Sequence, residues 1–295
     1  MESKRIVIAG GSGFIGRYLK KRFSEEGYVV HIISRKSGDL QWNNCEQIIE
    51  KLNGCEVLIN LSGKSVDCRY SFKNKWKILT SRTESTLELH RLIELCEEPP
   101  KLWINSSTAT IYRHSEDRPM TERNGDLGTG FSVHVAKLWE NTFFSIKLPN
   151  TKQVALRMAI VLGKGGALTP MVALTKLGFG GKHGNGRQQF SWIHIEDVYQ
   201  SIQFIMSSEN PSKIYNCSSP YPVKNEDLML ILRNQLDKKF GIPLNEQLLK
   251  FGALIIRTET ELLLKSRWVT PENLVDEGYE FKFPDLRGAI SNILN

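Results

Sequence analysis

Three side chains that can hold or exchange a proton lie close together in the sequence: Ser107, Thr108 and Tyr112. Ser107 and Thr108 follow the apolar run 102–105, so their hydroxyls fall at the carboxyl end of a predicted strand, where ligands bind in open α/β sheets. A hydroxyl there can polarise a carbonyl, and a phenol can give it a proton. We hypothesise that Thr108 or Ser107 polarises a carbonyl and that Tyr112 supplies the proton. The alternative is that Tyr112 only forms part of the pocket wall.

A glycine-rich turn near the start of the chain indicates a second kind of chemistry, the binding of a pyrophosphate. Gly10 allows a tight turn after the first predicted strand, Gly13 lets the backbone approach the phosphates, and Gly16 permits close helix packing. Phe14 and Ile15 open the following helix, whose N-terminus supplies free N–H groups. The order strand, glycine turn, helix predicts a dinucleotide-binding site.

The end of the second predicted strand indicates which dinucleotide is bound. A carboxylate that would bind a ribose 2′-hydroxyl is absent there, and the chain reads Ser34-Arg35-Lys36 instead. Because an arginine attracts a 2′-phosphate that a carboxylate would repel, the sequence favours NADP over NAD. A solvated basic turn is the alternative.

The elements that must position these residues alternate in type along the first half of the chain. Residues 5–9, 29–33, 57–61, 102–105 and 154–157 predict strands, and residues 14–26, 72–96 and 132–146 predict helices between them. This rhythm is typical of an α/β Rossmann fold with a doubly wound parallel sheet.

The second half changes in composition. Residues 164–186 are glycine-rich and predict a substrate loop, and amphipathic patterns at 225–236 and around 248–264 predict a small, mostly helical C-terminal substrate lobe. We expect an NADP-binding Rossmann domain over residues 1–163, completed by about residues 187–220, and a small domain over 221–295.

Composition disfavours several classes of partner. The formal net charge is +7, but the basic residues are spread along the chain without a basic stripe, so no nucleic acid is expected. No run approaches the roughly 18 apolar residues of a membrane span. Five cysteines without C-x-x-C pairs or clustered histidines predict neither disulfides nor a metal site. The first residues lack a targeting pattern, so we expect a cytoplasmic monomer or homodimer with a small-molecule substrate.

The segments GGSGFIG, NLSG, SSTATIY, GNGRQQFSWIHIEDV and SSPYPVKNEDL together carry a family resemblance over essentially the whole chain. The chain resembles the short-chain dehydrogenase/reductase superfamily, and it is most similar to the atypical extended members known as epimerase family proteins, nucleotide-sugar epimerase-like proteins without an assigned substrate. The resemblance implies that one further set of residues contacts NADP: Ser34, Arg35, Leu61, Ser62, Arg82 and Val161.

In catalytically competent members of that superfamily, a tyrosine and a lysine four residues later lie on one helix face, where the lysine lowers the tyrosine pKa. Aligning FSVHVAKLWE on this pattern places Lys137 at the lysine and Val133 at the tyrosine. The usual proton-transfer residue is therefore missing, and Tyr112 is the tyrosine we expect to replace it.

The segment that follows the glycine-rich loop contains candidate substrate ligands. Arg187 could bind a substrate phosphate or carboxylate, and Trp192 or His194 could lie beside a sugar or the nicotinamide. For His194 the alternative is a buried structural imidazole that holds Asp197 or a backbone carbonyl.

Two functions follow from these features. The first is an NADP-dependent oxidoreductase or epimerase-like enzyme acting on a small polar substrate, including nucleotide sugars. The second is a non-catalytic NADP(H)-binding sensor or scaffold, which would explain the missing tyrosine without any replacement.

Overall fold

The structure is a computed structural model that describes residues 4–245, 247 and 265–295. Within these residues, seven parallel strands form one central sheet in the order β11-β6-β5-β4-β1-β2-β3. The strands of this sheet are β1 (Arg5–Ala9), β2 (Val29–Ser34), β3 (Leu40–Gln41), β4 (Val57–Asn60), β5 (Leu102–Thr108), β6 (Lys152–Met158) and β11 (Ile214–Cys217). The predicted α/β Rossmann fold with a doubly wound parallel sheet is confirmed.

The helices of the described chain follow the strands on both faces of the sheet. They are α1 (Phe14–Glu25), α2 (Cys45–Leu52), α3 (Phe72–Glu94), α4 (Phe131–Ser145), α5 (Leu168–Lys176), α6 (Ile195–Ser207), α7 (Asn225–Gln235), α8 (Glu272–Asp276) and α9 (Leu286–Leu294). None of these described helices is long and apolar enough to cross a membrane.

The two faces of the sheet bury alternate residues of each strand. In β1, Ile6 and Ile8 pack in one apolar core with α1 and α6, whereas Val7 and Ala9 pack in the other with α2, α3 and α4. This alternation follows from the period of two in a β-strand, and burial on both faces explains why the strands read as continuous apolar runs.

Five short strands in the second half of the described chain form two small sheets. They are β7 (Ile160–Gly163), β8 (Gly165–Gly166), β9 (Gln189–Phe190), β10 (Trp192–His194) and β12 (Val223–Lys224), and they pair in the orders β10-β7-β8 and β12-β9. A third apolar cluster packs α5, α7 and α9 around the buried Trp192 and Leu162. The amphipathic pattern predicted around 248–264 lies outside the described residues.

The point where the strand order reverses lies between β1 and β4. The chain passes from β1 outward through β2 and β3, and then returns to place β4 on the other side of β1. The loops at the carboxyl ends of β1 and β4 therefore diverge and leave a crevice, which is where ligands bind in open α/β sheets.

Candidate functional site

A cleft of about 430 Å³ occupies this crevice, a volume within the usual range for small-molecule sites. Four segments line it: the turn after β1, the loop after β4, the carboxyl end of β5 and the first turns of α4. Within the described residues, no group of three or more His, Cys, Asp or Glu side chains could hold a metal ion. The polar groups that line the cleft are hydroxyls, cations and backbone groups.

The glycine turn is shaped for close approach of a phosphate. Gly10 has φ +75°, and a Cβ there would lie 2.7 Å from the carbonyl carbon of Leu61. A Cβ on Gly16 would lie 2.4 Å from the Cα of Gly11. Gly13, the residue that precedes α1, provides no side-chain cap, and the first turn of α1 contains no acidic residue. The N–H groups and positive end of α1 therefore face the cleft without a competing carboxylate, and this arrangement fits a pyrophosphate.

The loop after β4 is fixed by buried amides. Asn60 donates to Asn105 Oδ1 at 2.7 Å, and Asn60 Oδ1 accepts from the backbone N–H of Ser62 at 3.0 Å. Both asparagines are fully buried. Because these bonds fix the backbone of Leu61 and Ser62, both residues line the cleft where the sequence predicted cofactor contacts.

Arg82 on α3 extends into the cleft. Its Nη1 donates to the carbonyl oxygens of Lys64 at 3.0 Å and Ile78 at 2.9 Å, and its guanidinium carbon lies 5.1 Å from the ring centroid of Trp139. Burial lowers the pKa of Arg82 to about 10, so the side chain stays cationic at neutral pH. Arg82 is therefore a cation held inside the cleft.

Ser107 belongs to a buried network that reaches away from the cleft. Its hydroxyl donates to Glu140 Oε1 at 2.5 Å. Arg157 donates two hydrogen bonds to the same carboxylate, from Nε at 2.9 Å and from Nη2 at 2.8 Å. Burial opposes the charge of Arg157, but the hydrogen bonds and charge of Glu140 outweigh it and raise the pKa of Arg157 above its ordinary value. The two buried groups therefore form a bidentate salt bridge.

This network gives the two cleft hydroxyls opposite roles. Since an ionised carboxylate only accepts hydrogen bonds, Ser107 must donate to Glu140 and presents only lone pairs to a ligand. Thr108 Oγ1 accepts from the N–H of Thr110 at 3.1 Å, and its own hydrogen has no acceptor among the described residues. Thr108 is thus the hydroxyl that can donate to a carbonyl oxygen, and Ser107 is the one that can accept from a substrate hydroxyl.

The structure does not support Tyr112 as a proton donor or as a wall of the cleft. A short 3₁₀ turn at Ala109–Ile111 carries the chain away from the cleft, and Tyr112 is 1% exposed. Its hydroxyl donates to Asn216 Oδ1 at 2.9 Å and accepts from Arg157 Nη1 at 2.7 Å. Burial raises its pKa against the opposing charge of Arg157. Tyr112 does not line the cleft, so the proposed role was wrong.

The register predicted on α4 is also corrected. Ser132 and Ala136 line the cleft, together with Phe131, Val135 and Trp139. Val133 is buried at 1% exposure, and Lys137 donates to the carbonyl oxygen of Gly128 at 3.0 Å, outside the cleft. The pair four residues apart that faces the cleft is therefore Ser132 and Ala136, so this helix presents neither a phenol nor an ammonium there. Lys137 does not line the cleft.

Three predicted cofactor ligands lie outside the cleft lining. Arg35 is exposed at the end of β2, and the buried Ser34 hydroxyl accepts from the N–H groups of Lys36 and Ser37. Val161 pairs with Ile193 between β7 and β10. For Arg35, a position on the rim beyond the glycine turn is compatible with a 2′-phosphate contact, which stays a prediction.

The predicted substrate ligands do not line the cleft either. Arg187 is exposed on its loop, whereas Trp192 is fully buried in the C-terminal core and donates to the carbonyl oxygen of Tyr221 at 3.3 Å. His194 is 4% exposed, and its Nδ1 accepts from the N–H of Glu196 at 3.1 Å at the start of α6. Burial lowers the pKa of His194 to about 4, so it is a structural imidazole, although its partner is not Asp197.

Sequence reasoning missed several cleft and network residues. Tyr70, Lys64 and Ser132 line the cleft, and Glu140 and Arg157 lie behind it. Tyr70 belongs to a loop without regular pattern, so no periodic signal marks it. Glu140 and Arg157 carried a signal that could have been used, because charged residues inside apolar segments are rarely buried unless they are paired.

A doubly wound sheet with a glycine turn and a cleft at the strand reversal defines a dinucleotide-binding Rossmann fold. The sequence profile of the NAD dependent epimerase/dehydratase family matches residues 6–218, and the chain belongs to this family. A second profile, a domain of unknown function named DUF1731, matches residues 248–293. The resemblance found in the motifs is confirmed.

Particular relatives place the chain within the family. It is 30% identical to the epimerase family protein YfhF of Bacillus subtilis, over 98% of this chain and 97% of that protein. The crystal structure of human epimerase family protein SDR39U1 (isoform 2) with NADPH superposes with a TM-score of 0.89 at 28% identity, over 98% of both chains. The nucleoside-diphosphate sugar epimerase of Corynebacterium glutamicum gives a TM-score of 0.78 at 25% identity, over 99% of this chain and 58% of that one.

Proposed function

We propose that this protein binds NADP(H) in the cleft and acts as an NADP-dependent oxidoreductase of the epimerase-like kind on a small polar substrate. The observation that carries the proposal is the uncapped N-terminus of α1, with Gly10 and Gly16 packed too closely for any side chain. The human relative that was crystallised with NADPH supports the choice of cofactor. Arg35 at the end of β2 supports the preference for a 2′-phosphate.

Thr108 and Ser107 have different roles toward a carbonyl substrate. When bound, NADPH supplies the hydride. Thr108 is placed to donate a hydrogen bond to the carbonyl oxygen, where negative charge develops. Ser107, held by Glu140, accepts from a neighbouring substrate hydroxyl and so orients the substrate. A substrate with a hydroxyl beside its carbonyl, as an oxidised sugar has, satisfies both groups.

Simple reduction fits the site better than a full epimerisation cycle. Epimerisation requires the same site to remove a proton and a hydride and then to return both, and α4 lacks the phenol that performs the proton transfers in the superfamily. Reduction needs only one proton donor, which any acid in the cleft can supply.

A specific observation also favours a second function, a non-catalytic NADP(H) sensor or scaffold. The helix face that lines the cleft presents Ser132 and Ala136 four residues apart, and neither can act as the tyrosine or lysine of the usual catalytic pair. A sensor would keep the glycine turn and the cofactor contacts while it loses the acid.

Calorimetry and turnover separate these functions. The purified protein is titrated with NADPH and NADH, and it is then assayed for NADPH oxidation with a panel of carbonyl compounds and nucleotide sugars. We expect binding of NADPH, turnover of at least one carbonyl, and a rate about 10²-fold lower in Thr108→Val, since removal of one such donor costs about that factor. Binding without turnover in either protein favours the sensor. Absence of NADPH binding contradicts both functions.

A further inference from the structure

The part of α4 that lines the cleft lacks an acid, yet a phenol from the loop before α3, that of Tyr70, also lines the cleft. Among the described lining residues, the titratable side chains are Lys64, Tyr70 and Arg82. Tyr70 is the residue before Ser71, whose hydroxyl caps α3 by accepting from the N–H of Asn74 at 3.3 Å. Asn74 in turn donates to the carbonyl oxygen of Arg69 at 2.8 Å. These bonds attach the backbone on both sides of Tyr70 to the start of α3.

The ring of Tyr70 lies beside the first turn of α4, close to the helix face that lines the cleft. Its centroid is 5.0 Å from that of Phe131, and the planes are inclined at 67°, an edge-to-face contact. Phe131 is the first residue of α4 and the neighbour of Ser132, which lines the cleft. The phenol of Tyr70 therefore reaches the same end of the cleft from a different element.

The charged side chains that line the cleft with Tyr70 are cations, Lys64 and Arg82. Arg82 lines the same cleft, and the charges of the two groups interact: burial lowers the pKa of Arg82, and Tyr70 acts in the opposite direction. The ammonium of Lys75 lies 5.3 Å from the ring centroid of Phe131. Lys64 lines the cleft, and Arg69 precedes Tyr70 in the chain. No carboxylate is among the described residues that line the cleft.

We propose that Tyr70 is the catalytic acid of this site and that Arg82 supplies the positive charge that stabilises its phenolate. The pair takes over the roles of the tyrosine and lysine that positions 132 and 136 lack, from α3 and its preceding loop instead of α4. This proposal rests on the proposed NADP-dependent reduction. A catalytic acid in the cleft is expected of the enzyme and not of the sensor.

The step balances with the cofactor already named. The carbonyl carbon takes the hydride that NADPH supplies. At the same time the O–H bond of Tyr70 breaks, and its proton forms a new O–H bond on the carbonyl oxygen, which yields the alcohol. The phenolate left on Tyr70 is stabilised by Arg82 and recovers a proton from solvent through the open side of the cleft. Thr108 donates its hydrogen bond to the same oxygen during the transfer.

The first test needs no substrate. Protein with carbon-13 at the Cζ of its tyrosines is titrated by NMR, and the resonance of Tyr70 is identified by its absence in Tyr70→Phe. We expect Tyr70 to titrate about one pH unit lower in wild-type apoprotein than in Arg82→Met apoprotein, because an adjacent cation favours the phenolate. Tyr221→Phe, which removes an exposed tyrosine outside the cleft, should leave the Tyr70 titration unchanged. Equal midpoints in wild type and Arg82→Met overturn the proposal.

The second test separates this proposal from the proposed function. Tyr70→Phe should bind NADPH with wild-type affinity by calorimetry and should reduce the carbonyl found in the panel about 10²- to 10⁴-fold more slowly, the usual contribution of a positioned acid. Full activity in Tyr70→Phe overturns the role of Tyr70 while NADP-dependent reduction stands. Loss of NADPH binding in the wild type refutes the proposed function itself, and the titration comparison of apoproteins still decides whether Tyr70 and Arg82 form a pair.

Discussion

Replacement of Arg157 by methionine should destabilise the protein strongly, because the residue is buried and pairs with a buried carboxylate. Arg157 is 6% exposed and Glu140 is 7% exposed. The guanidinium donates at 2.9 and 2.8 Å to the two carboxylate oxygens of Glu140, and at 2.7 Å to the hydroxyl of Tyr112. The substitution leaves a buried carboxylate whose only remaining donor among these groups is Ser107.

The size of the loss follows from the burial of the charge that remains. Removing one partner of a buried ion pair typically costs about 3–5 kcal/mol, because the other charge stays desolvated without compensation. The lost hydrogen bond to Tyr112 adds about 1 kcal/mol. Since a domain of ordinary stability unfolds at a cost of about 5–15 kcal/mol, the variant should lose a large share of its stability.

A double variant provides the matched control. In Arg157→Met with Glu140→Leu, both charges are replaced by apolar side chains of similar size, a change that is often neutral or even stabilising. Ser107 and Tyr112 each lose a partner, so we expect the double variant to remain less stable than wild type by about 1–2 kcal/mol. It should nevertheless be more stable than Arg157→Met alone by about 2–5 kcal/mol, since it carries no uncompensated charge.

Urea unfolding at neutral pH, followed by tryptophan fluorescence, measures these differences from the transition midpoints. Unfolding free energies of Arg157→Met and wild type that agree within about 1 kcal/mol would refute the reasoning, because an unpaired carboxylate that is truly buried must cost more than that. A double variant less stable than Arg157→Met would refute it as well, since the energy would then belong to lost packing and not to an uncompensated carboxylate.

The remaining predictions concern the cofactor and the response to pH. Arg35→Glu should weaken NADPH binding at least about tenfold by calorimetry and leave NADH binding nearly unchanged, since a charge-assisted hydrogen bond contributes about 1.5–3 kcal/mol; equal effects on both cofactors would reject a 2′-phosphate contact. Gly16→Ala should abolish NADPH binding or unfold the first turn of α1, because its Cβ would lie 2.4 Å from the Cα of Gly11; wild-type affinity in this variant would contradict the close packing. Because the pKa of His194 is lowered to about 4, the unfolded chain binds a proton there more readily than the folded one. Stability should therefore fall by about 2–3 kcal/mol as pH drops from 7 to 4, and His194→Asn, which keeps a capping side chain, should lose that component of the urea midpoint shift.

Elements whose signals are local could be predicted from the sequence. The run 5–9 reads as β1 because each of its residues is apolar or at a strand end, and the glycines at 10 and 16 mark the turn into α1. Ser107 and Thr108 were placed at the cleft because they end an apolar strand run, and ligands bind at the carboxyl ends of the strands in open α/β sheets. Tyr112 was misplaced because a 3₁₀ turn of three residues reversed the direction of its side chain, and such a turn leaves no periodic pattern.

The rotation of α4 shows why the catalytic register in particular could not be predicted. Two pairs at four-residue spacing compete for the cleft, Val133 with Lys137 and Ser132 with Ala136, and they differ by a rotation of about 100°. The sequence favours the first pair, because it alone contains the lysine of the superfamily pattern, but the structure turns the second pair to the cleft. The choice depends on partners distant in sequence: Trp139 donates to Thr86 Oγ1 at 3.1 Å, and Glu140 is held by Ser107 and Arg157.

A buried ion pair of this kind contributes little net stability compared with an apolar core, but it is strongly unfavourable in any arrangement that separates its charges. Any rotation of α4 large enough to bring Val133 to the cleft would pull the Glu140 carboxylate away from Arg157. The ion pair therefore selects the helix face that the cleft presents, and with it the absence of a tyrosine and lysine there. Because the Ser107 hydroxyl donates to Glu140, it can only accept a hydrogen bond from a substrate. The ion pair that orients α4 therefore also determines which hydrogen-bonding groups a substrate meets.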